Sequence, residues 1–193
     1  MPNNHVFNSF HNPVFTHSTN TYTDPGIVSP PENGASRAGS LFSITGSASA
    51  LVVLSLISAV ITLKVTNPGG SGKTVYVSRI GISIGGSSLL SALSGSASFQ
   101  KGGTLSSPTT LTPTNNNFNS SAVSVMTAQS STAAPTGGTT FNAVQLAPGG
   151  LTQEYTGSII VPPGNSITVS VTSSSSSVGL TITSSANISW WEA

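Results

Sequence analysis

Three histidines are the side chains of this sequence best suited to bind a metal ion, and they recur at a regular spacing. His5, His11 and His17 lie six residues apart. On an extended strand of about 3.3 Å per residue they would share one face, with neighbouring histidines about 20 Å apart. One ion cannot bridge that distance, so binding would require a turn or several chains brought together. We predict polar contacts for these histidines, with no metal site and no cofactor.

Acidic side chains that could act in catalysis are scarce. The chain has four, Asp24, Glu32, Glu154 and Glu192. Glycoside hydrolysis needs two carboxyl groups that flank one bond, but two of the four lie in the first forty residues and one lies at the C-terminus. A serine–histidine–acid triad would have to take its histidine from the same N-terminal region. We therefore predict that the protein is not an enzyme and has no small-molecule substrate.

A glycine-rich stretch at residues 69–74 ends like a phosphate-binding loop. It lacks the first glycine of that motif at the required spacing, and the alternating residues after it predict a strand where the motif requires a helix. We interpret it as a turn. The net charge of +1 provides no basic surface for nucleic acid, so no nucleic-acid partner is expected.

Two adjacent tryptophans, Trp190 and Trp191, lie close to the C-terminus. In a strand, one of two neighbouring side chains faces the core and the other faces outwards. We predict that one ring is a core residue and that the other contacts a second subunit. The alternative is that the outward ring stacks on a sugar, as aromatic platforms do, in a carbohydrate-binding adhesive module.

Alternation of apolar and polar residues is the main structural signal along the chain, and it is typical of half-buried strands. Residues 167–171 and 178–182 alternate strictly, and the polar run 172–177 between them predicts a hairpin loop. Val75 and Val77 occupy odd positions whereas the isoleucines of residues 80–84 occupy even ones, which predicts a β-bulge near Ser78. Further strands are predicted at residues 41–46, 50–66, 89–100, 118–128, 141–146 and 151–161.

These short strands are separated by turns rich in Gly, Pro, Asn and Ser, and no helical period interrupts them after residue 41. This pattern is typical of an all-β sandwich or barrel. We predict one antiparallel β-sandwich of the jelly-roll type, with about eight strands, over residues 41–193. The charge-free run between Arg37 and Lys64 is long enough for a membrane helix or a pilin-like helix, but its glycines, serines and β-branched residues favour strands.

Residues 1–40, called the arm below, form a separate unit. Pro13, Pro25, Pro30 and Pro31 favour extended or turning backbone over helix. The arm is either a solvated leader or a segment ordered against a neighbouring subunit, for example by adding a strand to a sheet edge. Its apolar side chains favour the second interpretation and are the candidate subunit contacts: Val6, Phe7, Phe10, Val14 and Phe15.

The sequence resembles small jelly-roll surface proteins of spore-forming bacteria, including endospore appendage subunits, and similar jelly rolls of bacteriophage virions. The resemblance covers roughly residues 41–193 and rests on the turn at 67–73, the strand at 74–84, the Val-Pro-Pro-Gly run at 161–164 and the Trp-Trp-Glu end at 190–192. It implies a jelly roll that polymerises, with an N-terminal connector reaching into preceding subunits. Those connectors carry cysteine cross-links, whereas this chain has no cysteine.

Only 5% of the residues are charged, against roughly a quarter in ordinary soluble domains. Such a surface lets copies approach at low electrostatic cost. We therefore expect a structural subunit that self-assembles into a filament or surface layer, outside a cell or on a particle surface, with a virion capsid-decoration or tail protein as the alternative. The first residues lack a secretory signal pattern, so we expect a mature product or one released by lysis.

Overall fold

The computed structural model describes residues 31–53, 57–87 and 93–193. Within these ranges the chain forms one short helix and eleven strands. The bounds are α1 Pro31–Arg37, β1 Leu41–Leu51, β2 Ile57–Thr66, β3 Val75–Gly86, β4 Leu93–Lys101, β5 Thr109–Leu111, β6 Thr114–Asn115, β7 Thr127–Ser131, β8 Thr139–Leu146, β9 Gly149–Val161, β10 Ser166–Ser175 and β11 Thr181–Glu192.

The strands form two antiparallel sheets that pack face to face. Sheet A has the order β6-β1-β11-β3-β9, and sheet B has the order β5-β7-β2-β10-β4-β8. Apart from the short strands β5, β6 and β7, successive strands alternate between the two sheets, except that β8 follows β4 within sheet B. Four strands of each sheet therefore interleave along the chain, as in a jelly roll. The prediction of an all-β jelly-roll sandwich is confirmed.

The core lies between the two sheets and follows the alternation in the sequence. Inward side chains such as Ile82, Val169 and Ile188 are almost fully buried, while their neighbours along the strands point away. The predicted bulge is also present, because the pairing of β3 with both β11 and β9 shifts register at Ser78. This one extra residue lets Val77 and Ile80 both face the core.

The predicted C-terminal hairpin is wrong. Strand β10 pairs with β2 and β4 in sheet B, whereas β11 pairs with β1 and β3 in sheet A. The chain crosses from one sheet to the other at residues 176–180, and β10 extends to Ser175, into the predicted loop. Alternation identifies a strand with one buried face, but it does not specify the strand beside which it lies.

The long apolar run after Arg37 forms two strands, as predicted, but with different bounds. Strand β1 extends to Leu51, five residues further than expected, and β2 begins only at Ile57 in the opposite sheet. No helix in the described part of the chain combines the length and apolar character that a bilayer crossing requires.

Two local predictions are corrected. Residues 118–126 form no strand, since β7 starts only at Thr127. Phe118, Val123 and Val125 are exposed in this irregular segment. Extended or turning backbone was predicted throughout the arm, but Pro31–Arg37 is helical. Proline fits the first position of a helix, where its missing N–H has no intrahelical partner.

The segment between β4 and β8 covers part of the outer face of sheet B. Thr168 of β10 donates a hydrogen bond to the carbonyl of Gly102 (2.6 Å), and Thr62 of β2 donates one to the carbonyl of Ala133 (2.8 Å). Lys64 donates to the carbonyl of Gly103 at 2.6 Å. These polar side chains point away from the core, yet Thr62 and Thr168 are fully buried, because this segment folds over them.

A fully buried asparagine joins two turns that are far apart in sequence. The Asn67 side chain donates to the carbonyls of Lys73 (2.8 Å) and Val161 (2.9 Å), and its backbone N–H donates to Asn165 (2.9 Å). The carbonyl of Asn67 accepts from the N–H of Gly164 at 2.8 Å. Asn67 therefore fixes the turn before β3 against the turn before β10.

We predict that Asn67→Ala lowers the free energy of unfolding by about 2–4 kcal/mol, because the buried Val161 carbonyl loses its donor and a cavity remains. Urea denaturation followed by tryptophan fluorescence measures the change. Asn119→Ala is the matched control, since Asn119 is exposed and its replacement should change stability by less than about 0.5 kcal/mol. Equal effects of the two substitutions would contradict the role given to Asn67.

Candidate functional site

The two lateral sides of the sandwich end differently. On one side the outermost strands are β5 and β6, which have three and two residues. On the other side they are β8 and β9, with eight and thirteen residues. Very short edge strands are one way in which proteins prevent pairing with other chains. We call the side formed by β8 and β9 the open side.

The open side has little of the charge that commonly protects sheet edges. Strand β8 contains no charged residue, and β9 contains only Glu154. Strand β9 is interrupted, because residues 155–158 bulge out opposite Ser78. Strand β8 is interrupted less, by a single extra residue, and within the described chain no strand pairs with its outer side.

A bulge in β8 places an aromatic ring on this side. The register between β4 and β8 shifts so that Phe141 has no partner residue on β4. Its ring packs at a tilt against Phe99, with the centroids 6.4 Å apart, and 48% of its surface stays exposed. Ile160 of β9 is 57% exposed. Both are large apolar side chains at positions where a strand edge would ordinarily be polar.

These side chains border a cavity that we call the edge groove. Its volume is about 430 Å³, and it opens between the start of β8 and the end of β9. The apolar lining residues are Phe141, Ile159, Ile160, Val161, Pro162 and Ile167, and Lys101 is the one charged residue of the lining. A groove of this size and polarity falls within the range of small-molecule ligand pockets.

The two tryptophans divide as predicted, one inwards and one outwards. Trp190 is fully buried in the core, where its ring lies 6.4 Å from that of Phe42. Trp191 is half-buried on the outer face of sheet A and stacks on Tyr76 with the centroids 5.5 Å apart. The backbone at Gly157 also approaches the Trp191 ring closely. The ring is thus already partnered within the chain, and its proposed contact with another subunit stays a prediction.

The carboxylates do not form one cluster. Glu192 is buried and accepts hydrogen bonds from the Trp190 indole N–H (3.1 Å), the Ser124 hydroxyl and the Val125 backbone N–H (3.3 Å). This bonding ties the irregular segment before β7 to the end of β11. The role of Glu192 is therefore structural, and no pattern in the sequence predicts it.

Glu32 of α1 and Glu154 of β9 line a second cavity, of about 300 Å³, together with Arg79. One Glu32 oxygen accepts from the Ser78 hydroxyl at 3.4 Å. Helix α1 is thereby attached at the bulge of β3, where it contacts β1, β9 and β11. Arg79 lines the same cavity as the two acids and has the opposite charge. We therefore interpret these residues as the ones that hold α1 on sheet A.

Several sequence-based candidates cannot be placed. The apolar residues of the arm, Val6, Phe7, Phe10, Val14 and Phe15, lie outside the described residues, as do all three histidines. Within residues 31–53, 57–87 and 93–193, no three histidine, aspartate or glutamate side chains lie close enough to hold a metal ion. The glycine-rich turn at 69–74 leads into β3, as expected for a turn and not for a phosphate loop.

No family model, curated protein or solved structure matches this chain.

We predict that Gly157→Ala destabilises the fold more than Gly164→Ala does, by about 1–3 kcal/mol. Both glycines have positive φ, 87° and 80°, so both substitutions carry a backbone cost of roughly 1–2 kcal/mol. Only at Gly157 would the new Cβ collide with a side chain, 2.6 Å from Cζ2 of Trp191, whereas it would meet open space at Gly164. Thermal unfolding measures the difference, and near-UV circular dichroism reports the displaced indole. Equal stabilities would contradict this packing.

Proposed function

We propose that this protein is a structural subunit that self-assembles into an extracellular filament or surface layer, with the arm docking on neighbouring subunits. The observation that carries the proposal is the open side, where two long edge strands with one charge between them border an apolar groove. Edges of this kind pair readily with further strands. A soluble monomer would ordinarily protect them by charge, by proline or by a covering segment.

The surface chemistry supports assembly as well. The chain carries nine charged residues in 193 and a net charge of +1, so copies repel each other weakly. Several of these charges are engaged within the fold, as Glu192 and Lys64 are. Since no cysteine is present, contacts between copies rest on strand pairing and apolar packing.

The proposal includes that the assembly lies on the outside of a cell or particle. The alternative, a virion subunit, would use the same surfaces of the protein for assembly. The adhesive alternative has less support. A sugar platform needs a free aromatic face, but Trp191 stacks on Tyr76 and is approached by Gly157.

Replacement of the five apolar arm residues by serine should abolish polymers. The full-length variant carries Val6, Phe7, Phe10, Val14 and Phe15→Ser, which removes the apolar contact area of the arm. Size-exclusion chromatography and negative-stain microscopy should show polymers for the parent chain and monomers for this variant.

The matched control changes five polar residues of the same segment to serine, Asn3, Asn4, Asn8, Asn12 and Asn20, and should still polymerise. A parent chain that stays monomeric at high concentration would refute the proposed function. Polymerisation of the apolar-to-serine variant would show that the arm is not the connection.

A lysine on the open side should impair assembly, whereas a lysine on the opposite side should not. Ala143→Lys places a charge on β8, and Thr110→Lys places the same charge on β5; both positions are exposed. An unpaired charge buried in a contact costs more than about 1.4 kcal/mol, which raises the concentration needed for polymerisation at least about tenfold. Light scattering over a concentration series measures that threshold. A larger effect of Thr110→Lys would place the contact on the side of β5 and β6.

A further inference from the structure

We propose that the edge groove is the acceptor site for residues 6–15 of the arm of a neighbouring copy. This inference rests on the proposed function and specifies where the arm docks. The groove lies at the end of the open side, between the first residues of β8 and the last residues of β9. An incoming segment could therefore pair with β8 while its side chains enter the space between the two sheets.

The size of the groove fits aromatic side chains. A cavity of about 150 Å³ lined by apolar residues is large enough for one benzene ring, and the edge groove measures about 430 Å³. Residues 6–15 contain three phenylalanines and two valines within ten positions. Two of those phenyl rings would fill most of the groove and would cover the exposed part of Phe141.

The charge pattern of the two surfaces is compatible. Residues 1–23 contain no Asp, Glu, Lys or Arg, and β8 contains none either. Docking would therefore bury no charge of the arm, and Lys101 at the groove can keep its ammonium group in water. A charged arm would lose hydration energy in such a site.

The length of the arm allows docking on another copy. Fifteen residues separate Phe15 from Pro31, and they can span at most about 50 Å. A domain of this size has a radius of gyration of only about 15 Å. Helix α1 holds the start of the described chain on sheet A, against β1, β9 and β11, and from there the apolar residues can reach beyond their own sandwich.

Disulfide trapping in the full chain tests this inference, and the absence of native cysteine makes each introduced pair unique. An Ile160→Cys chain is mixed under reducing conditions with one of three arm variants, Phe7→Cys, Phe10→Cys or Phe15→Cys. Each mixture is checked for polymers by microscopy and is then oxidised. Val178→Cys replaces Ile160→Cys in the control, because Val178 is 64% exposed but lies at the far end of β10 from the groove. A disulfide forms only when the two Cα atoms come within about 7 Å.

We expect at least one arm position to give cross-linked pairs of the two chains at a yield about tenfold above the Val178→Cys control. Polymers that form normally but show no such excess at any arm position would overturn the groove assignment and leave the proposed function standing. A chain carrying both Phe10→Cys and Ile160→Cys tests docking within one molecule. Cross-linking only within that chain, together with an absence of polymers, would overturn both the groove assignment to a neighbour and the proposed function.

Discussion

The structure depends on the burial of two apolar sheet faces against each other. Central strands β10 and β11 supply much of that contact, and side chains such as Val169, Ile188 and Trp190 are removed from water completely. Because these two strands are consecutive but lie in opposite sheets, the chain must cross the sandwich between them. Most other consecutive strands also cross between the sheets, and this gives the jelly-roll order. The open side results from the strands that this order leaves at one margin.

The two margins of the sandwich differ in whether another segment of the described chain covers them. The segment between β4 and β8 turns back over sheet B, adds the short strands β5, β6 and β7, and closes one side. The same segment supplies backbone carbonyls that bind Thr62 and Thr168. Nothing comparable in the described chain covers β8 and β9. Unpaired backbone groups and apolar side chains at Phe141 and Ile160 therefore remain at one margin, and the proposed assembly would use this margin.

The scarcity of charge is compensated by neutral hydrogen-bonding side chains. Asn67 links two turns through three hydrogen bonds, and Ser184 donates to the carbonyl of Ala59 (2.8 Å) inside the sandwich. Such bonds satisfy buried polar groups without the desolvation cost of an ion pair. A fold stabilised in this way can leave its surface nearly neutral, and a nearly neutral surface is also one on which copies can pack closely.

The class of fold and much of its local structure can be predicted from the amino-acid sequence alone. Strict alternation, the parity change at Ser78 and the turn residues at 67–72 were sufficient, because side-chain period and turn chemistry are local properties. The pairing of the strands, the margin that stays open and the burial of Asn67 and Glu192 with their hydrogen bonds depend on the tertiary fold. These features join residues separated by about a hundred positions or by whole strands, as Asn67 and Val161 show. Pairing and burial of this kind depend on how the whole chain crosses between sheets, and a periodic pattern carries no record of that path.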